Sequence, residues 1–270
     1  MISLLDRIKL VMKGFVIGLG KVVPGVSGSL IAISLGLYEK CIDSISNFFK
    51  DVRKNIIFLG TIGIGIILSV LFGSTVIIWL LNHFYTPTMF LFIGLIGGGI
   101  PILIDKSYKK GLGDYLLMIL GFIIMFLIGT LAPTKQFLPN INIRDLFMVS
   151  GLGFIDATTM IIPGVSGTAV FILLGCYPFI LTLFSHLFDF NYIYYIIFFG
   201  LGLLIGTTIV SNIMNYFFRN HKQRVYMLIL GLSLSSIYML LKDTILHLNH
   251  LYEIIFGIIL MIVGYKIVKK

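Results

Sequence analysis

Six stretches of the chain stay apolar for long runs: about 56–81, 88–104, 115–132, 192–218, 225–241 and 251–268. A bilayer span needs roughly 17–25 residues, so each predicts a transmembrane helix. Polar breaks at 82–88, 105–114, 133–145, 219–224 and 242–250 separate them. Two further apolar regions, 14–47 and 150–187, are interrupted midway by the same pentapeptide, Pro24-Gly25-Val26-Ser27-Gly28 and Pro163-Gly164-Val165-Ser166-Gly167. Proline removes a backbone donor and turns the preceding residue away from helix, and the glycines add freedom. Each flanking arm of about ten residues reaches about 15 Å at ~1.5 Å per residue, half of a ~30 Å hydrocarbon core. The expectation is a re-entrant helical hairpin that enters the membrane, turns near mid-depth and leaves on the same side.

The chain also repeats itself. A shift of 139 residues lays 14–38 over 153–177 with eleven of 25 pairs identical, among them the whole pentapeptide, Gly36/Gly175 and Tyr38/Tyr177. A shift of 137 lays 90–103 over 227–240 and matches Gly94 with Gly231 and Ile100 with Ile237. Each half, 1–137 and 138–270, therefore reads as one hairpin plus three spans. Three crossings invert the second half relative to the first. The expected fold is an all-α polytopic membrane protein with two inverted-topology repeats, and broken helices meeting at mid-membrane are a transporter plan.

Composition removes the soluble alternatives. Of 270 residues, 58% are hydrophobic and 11% charged, against about 25% charged in soluble domains. The net charge of +9 comes from short basic clusters between apolar runs, a pattern of topology signals rather than of a nucleic-acid surface. With a cytoplasmic N-terminus and both hairpins re-entrant, sixteen of the 20 Lys and Arg residues fall inside. Only Lys135, Arg144 and Lys242 fall outside, and Lys21 stays within the first hairpin. Fully crossing hairpins would put Lys106, Lys109 and Lys110 outside and weaken this positive-inside asymmetry. Both termini are thus expected in the cytoplasm. The basic, amphipathic start, 1–13, reads as a retained lead-in helix with no cleavage site after it. Cys41 and Cys176 read as small apolar residues, with no Cys/His cluster at metal-ligand spacing.

Candidate chemistry gathers at the two breaks. A helix begins after each pentapeptide, at Ser29 and at Thr168, and exposed amides at a helix start attract anions. Ser27, Ser29, Ser166 and Thr168 add hydroxyl donors, and Gly25, Gly28, Gly164 and Gly167 permit close approach. The same residue types also let membrane helices pack closely, and the sequence leaves both uses open. Lys21, one turn before the first break, either neutralises a bound anion or snorkels to the interface. Asp156 either pairs with Lys21, carries a coupling proton or caps a helix. Glu39, beside Lys40, is a second coupling candidate, with an interfacial ion pair as its alternative. The glycine run 94–101 lacks the βαβ setting of a dinucleotide fingerprint and reads as a close-packing surface. The five histidines fall in or beside loops, and no Ser/His/Asp arrangement is placed for catalysis.

The run Gly14-Phe-Val-Ile-Gly18, then Val23 through the first pentapeptide, then Leu35-Gly-Leu-Tyr-Glu39, resembles the signature of the bacterial undecaprenyl-phosphate translocases of the PopT type. Ile162 through Gly167 with Leu174-Gly-Cys-Tyr177 resembles that family's second signature. The resemblance covers essentially the whole chain. It implies a non-enzymatic carrier that returns the C55 lipid monophosphate from the outer to the inner leaflet, in the bacterial cell membrane, for reuse in cell-wall synthesis. It implies no cofactor, and leaves open a coupling ion, proton or sodium. Three positions depart from the family pattern: Lys21 replaces an Asn or Asp, Pro178 a Glu, and Ser29-Leu30 a Gly-Thr pair. A transporter of a small soluble anion has the same architecture with a laterally sealed pocket. An intramembrane lipid-phosphate enzyme would need a nucleophile or metal cluster.

Overall fold

The computed structural model describes residues 4–22, 26–107, 111–130, 142–185, 189–248 and 251–268. Pro24 and Gly25 of the first pentapeptide, and the segment carrying Lys135, lie outside the described residues. So do Lys109, Lys110, His186, His250 and the last two lysines.

Among the described residues the chain is helical, with no strand. The first half runs α1 (Leu4–Val22), α2 (Gly28–Ser34), α3 (Tyr38–Ser46), a 3-10 turn Phe48–Lys50 and α4 (Val52–Leu68). A π-helical turn, Ser69–Gly73, then leads into α5 (Ser74–His83), α6 (Tyr85–Lys106) and α7 (Leu112–Thr130). The second half runs α8 (Ile143–Ile161), α9 (Gly167–Leu173), α10 (Tyr177–Ser185) and a 3-10 turn Phe190–Tyr192. It closes with α11 (Ile193–Asn220), α12 (Lys222–Leu246) and α13 (Leu251–Val268). The order is the same in both halves, except that one helix, α11, stands where α4, the π turn and α5 stand.

Four helices among the described residues are long and apolar enough to cross a membrane: α6, α7, α11 with its leading turn, and α12. The sixth expected span is α13, and the first, 56–81, is divided by the π turn. The hairpin arms differ from expectation. Instead of arms of about ten residues, α1 and α8 each run 19 residues, about 28 Å at ~1.5 Å per residue. In the first half the lead-in helix continues into the arm. In the second, Asn142 accepts the Asp145 amide at 2.8 Å and starts α8 early, inside the polar break. Arm length therefore does not fix the depth of either break. Each returning arm is two short helices, parted where Gly36 and Gly175 take φ of 70° and 67°, a conformation that favours glycine.

The centre is built on α6 and α12, each 61% buried along its most apolar stretch, against 17% for α7. Phe92, Ile96, Tyr226, Met227 and Ile229 join Ile31 of α2 there. The outer helices carry exposed Leu, Ile and Phe, such as Leu116, Ile123, Leu204 and Ile259, a surface that only lipid solvates well. Around the centre, α1 packs on α4, α8 on α11, α6 on α13 and α7 on α12.

Glycines set these pairs at matching places in the two halves. A Cβ on Gly14 would stand 2.3 Å from the Ile62 carbonyl, and one on Gly153 2.0 Å from that of Phe199. A Cβ on Gly94 would stand 2.1 Å from the Met261 carbonyl, and one on Gly231 1.9 Å from that of Met118. Small residues at such crossings let backbones approach, as membrane helices require. The glycine run on α6 is thus a packing surface, with Gly98 against Val268 and Gly99 against Ser34.

Candidate functional site

The two breaks, 139 residues apart in the chain, meet. At the second, Ile162 turns extended before Pro163 (φ −75°, ψ 113°). Gly164 then takes φ 89° in a space where a Cβ would lie 2.5 Å from that of Leu232. Helix α8 ends there with carbonyls that no later amide of the helix can satisfy. Three side chains from elsewhere supply donors. Tyr38 donates to the Ile161 carbonyl at 2.6 Å, Ser29 to that of Ile162 at 3.4 Å, and Ser236 of α12 to that of Gly164 at 3.1 Å. In return the Gly164 amide donates to the Ser27 hydroxyl at 3.4 Å, and the Ser27 and Ser29 hydroxyls lie 2.8 Å apart. With Ser29 donating to Ile162, the Ser27 hydroxyl donates to Ser29. The chain from the Gly164 amide through both serines to the Ile162 carbonyl then runs in one direction, so each bond polarises the next.

This arrangement changes the picture drawn from sequence. Ser27 and Ser29 are buried, and their hydroxyls hold the opposite break rather than face an open anion pocket. Helices α2 and α9 have seven residues each, two turns, so their dipoles are short. Any attraction for an anion there rests on individual amides and hydroxyls. Ser166 caps its own helix, accepting the Ala169 amide at 3.4 Å. Thr168 is partly buried beside it. Lys21 falls on the last turn of α1. Gly25 lies outside the described residues.

Asp156 is buried on α8. A Cβ on Gly167 would stand 3.6 Å from its carboxylate and 2.7 Å from the Thr159 hydroxyl. The repeat puts Ile17 in the same relation to Gly28, whose Cβ would stand 2.9 Å from the Ile17 carbonyl. The acid thus lies beside the start of α9, in the neighbourhood assigned by sequence to an anion.

Glu39 stands in the first turn of α3, next to Tyr38, and its partners are not the adjacent Lys40, which sits 4.2 Å over the Phe58 ring. One carboxylate oxygen accepts from Lys106 at 2.7 Å and, in a short hydrogen bond, from the Tyr226 hydroxyl. The other accepts from Lys222 at 2.7 Å. Burial pushes the Glu39 carboxyl up, but the bonds from Lys106, Lys222 and Tyr226 together hold it down at about 2. Asp43, one turn on, pairs with Arg219 at 2.9 Å, and Ser46 donates to the Ser211 carbonyl at 2.9 Å. These bonds fasten α3 to α6, α11 and α12. A cleft of about 450 Å³ lies beside them, lined by Glu39, Asp43, Arg219 and Lys222. On the same helix, burial pushes the Cys41 thiol up to about 11, in keeping with a small apolar role.

The matching end of the second half is built differently. Among the described residues α10 has no comparable seam with α4 or α5, and Pro178 occupies the position of Glu39. The positions matching Lys106 and Lys222 are Asp243 and Tyr85, joined by a short hydrogen bond. Sequence reading passed over Tyr38, Lys106, Lys222, Tyr226 and Ser236. The one signal was Tyr38, identical with Tyr177 across the repeat.

Comparison with known proteins agrees with the motif reading. The chain is 31% identical over 239 residues to a polyprenyl-phosphate transporter of Staphylococcus aureus (strain NCTC 8325 / PS 47), covering 84% of each chain. It is 28% identical over 241 residues to a polyprenyl-phosphate transporter of Vibrio cholerae serotype O1 (strain ATCC 39315 / El Tor Inaba N16961), covering 84% of this chain and 75% of that one. No solved structure gives a significant match. The family model for undecaprenyl phosphate translocase-like proteins matches residues 17–251, which take in both breaks and the Glu39 cluster. The chain is an integral membrane protein belonging to the undecaprenyl phosphate translocase-like family.

Proposed function

We propose that this protein carries undecaprenyl phosphate from the outer to the inner leaflet, shielding the phosphate where the two breaks meet. The observation that carries the reading is the direct bonding of the first break's serine hydroxyls to backbone groups of the second break. The matched relatives bear the name polyprenyl-phosphate transporter. A phosphate is too polar to enter hydrocarbon unaided, whereas the polyprenyl tail stays in lipid. The protein need only replace water around the headgroup. The groups for this are the amides and hydroxyls of Ser27, Gly28, Ser29, Gly164, Ser166, Gly167 and Thr168, with Gly25 giving room and Lys21 the counter-charge.

In the state described, the serines are held by the opposite break. A phosphate exchanges those bonds for its own oxygens, which loosens one half from the other. The two halves, 1–137 and 138–270, then rock as inverted repeats about the re-entrant hairpins. The basic clusters put the Glu39 end and both termini in the cytoplasm. Docked α3 is thus the closed inner gate. Asp156, buried beside the start of α9, is the candidate for linking headgroup binding to a coupling ion. The test is reconstitution into vesicles with labelled undecaprenyl phosphate, scoring leaflet exchange beside a small-anion flux control. Exchange of the lipid without anion flux is expected. Anion flux without lipid exchange would move the reading to a small-anion transporter.

A further inference from the structure

The Glu39 carboxylate draws three donors from two other helices: Lys106 at the end of α6, and Lys222 and Tyr226 at the start of α12. Lys106 also donates to the Tyr226 hydroxyl at 3.0 Å and sits 5.0 Å from the centre of its ring. Two ammonium groups and a phenol around one carboxylate leave one positive charge in excess. Such a set is richer than a single carboxylate needs and suits a tetrahedral dianion, which offers more acceptor oxygens and a second charge. Lys106 and Lys222 are 39% and 50% exposed and Glu39 37%, while Tyr226 is buried beneath them; the adjoining cleft, lined by Glu39 and Lys222, gives a ligand access from solvent on that side.

We propose that Lys106, Lys222 and Tyr226 form a second phosphate-binding cradle, occupied by the Glu39 carboxylate when α3 is docked and by a phosphomonoester when α3 swings away. The proposal rests on the transport reading for its place in a cycle. The headgroup leaves the breaks, is received by the cradle at the cytoplasmic end, and is displaced when Glu39 returns. The opposite end of the molecule supports this assignment. There the corresponding positions hold Asp243 and Tyr85, an acid and a phenol, with Pro178 in place of Glu39. Asp243 there also faces His247 at 3.5 Å, so at the matching positions that end offers a phosphate an acid and no lysine where the cytoplasmic end offers two lysines. The left-handed Gly36, with nothing within 4 Å of the place its Cβ would take, supplies a joint on which α3 turns.

The experiment measures binding of inorganic phosphate, and separately of undecaprenyl phosphate in lipid vesicles, to the full-length protein. Wild type, Glu39→Gln and the double variant Glu39→Gln/Lys222→Gln are compared. The double variant removes acid and base together and so avoids stranding a charge. Glu39→Gln is expected to bind inorganic phosphate at least about tenfold tighter than wild type, the effect of freeing one charge-assisted hydrogen bond. The double variant is expected to lose that gain. A gain with inorganic phosphate but none with the lipid identifies a free-phosphate site and overturns the place in the cycle. Equal phosphate binding in wild type and Glu39→Gln, with lipid exchange intact in wild type, overturns the cradle and leaves the transport reading standing. Wild type that neither binds nor moves the lipid, beside a Glu39→Gln gain, does the reverse.

Discussion

Replacing Tyr38 with Phe removes one oxygen from the joint between the halves and nothing else. The ring stays buried, 5.4 Å from that of Phe218. What goes is the 2.6 Å bond to the Ile161 carbonyl, an acceptor at the end of α8 that the helix itself cannot satisfy. A buried acceptor left bare costs about 1–3 kcal/mol, a factor of roughly 5 to 150 in an equilibrium. Because Tyr38 opens α3, that cost falls on the state in which α3 is docked. Tyr177 is the control: it fills the same place in the repeat and has no hydrogen-bond partner among the described residues. The reporter is Ser211→Cys in a background with both native cysteines replaced by Ser. Ser211 is fully buried, and its carbonyl receives the Ser46 hydroxyl where α3 meets α11. Tyr38→Phe should raise the maleimide labelling rate from the cytoplasmic face within that range, and Tyr177→Phe should leave it unchanged. Equal rates in the two variants would refute the idea that this hydroxyl holds the gate.

The Glu39 carboxyl falls from the ordinary 4.5 to about 2 in the docked state, so its stabilisation is complete above 4.5 and lost as pH drops through 2. Docking of α3, read by amide hydrogen exchange divided by the intrinsic exchange rate at each pH, should be unchanged from pH 8 to 5 and weaken only in stronger acid. Gly164→Ala forces a Cβ into φ 89° and against Leu232; a cost of about 1–2 kcal/mol from the backbone alone should lower thermal stability and slow exchange, and an unchanged melting curve would contradict it. Asp156→Asn should still let the lipid equilibrate between leaflets but should abolish any response to an imposed pH gradient, and a surviving response would remove Asp156 from coupling. Cysteines at Asn47 and His83 should label from opposite faces; labelling of position 47 from outside intact cells would end the re-entrant reading.

Much of the helical order was legible because span length and hydrophobicity are local properties of the sequence. The shared pentapeptide marked the places where helices stop, since proline and glycine act within a residue or two of where they stand. What pattern could not give was the partner of a break. Nothing local to Ser29 or Tyr38 says that their hydroxyls reach carbonyls more than 120 residues away. The same blindness paired Glu39 with its neighbour Lys40, when Lys106 and Lys222 arrive from helices brought close by packing. The arms were read too short for a different reason. An amphipathic lead-in and a membrane arm differ in composition, yet no residue between Leu4 and Val22 stops the helix. The division of the first span escaped too, because the π turn Ser69–Gly73 has no proline to announce it.

On the inverted-repeat reading, one end of such a protein must differ from the other. Two identical inverted halves would hold a headgroup equally well at either face, and binding alone would then favour neither. Here the packing glycines make matching contacts in the two halves, while the charged corners differ. Lys106 and Lys222 at one end stand against Asp243 and Tyr85 at the other, and Glu39 stands against Pro178. A phosphate that meets an acid at one mouth and two ammonium groups at the other dwells longer at the second. Unequal dwell cannot drive net flow at equilibrium, because a site that attracts also retains. It does set which gate is loaded and which is empty when an outside source of free energy, an ion gradient or consumption of the carrier inside, acts on the cycle. In the cradle proposed above, the Glu39 carboxylate, returning to the same three donors, is the group that removes the retention the lysines would create.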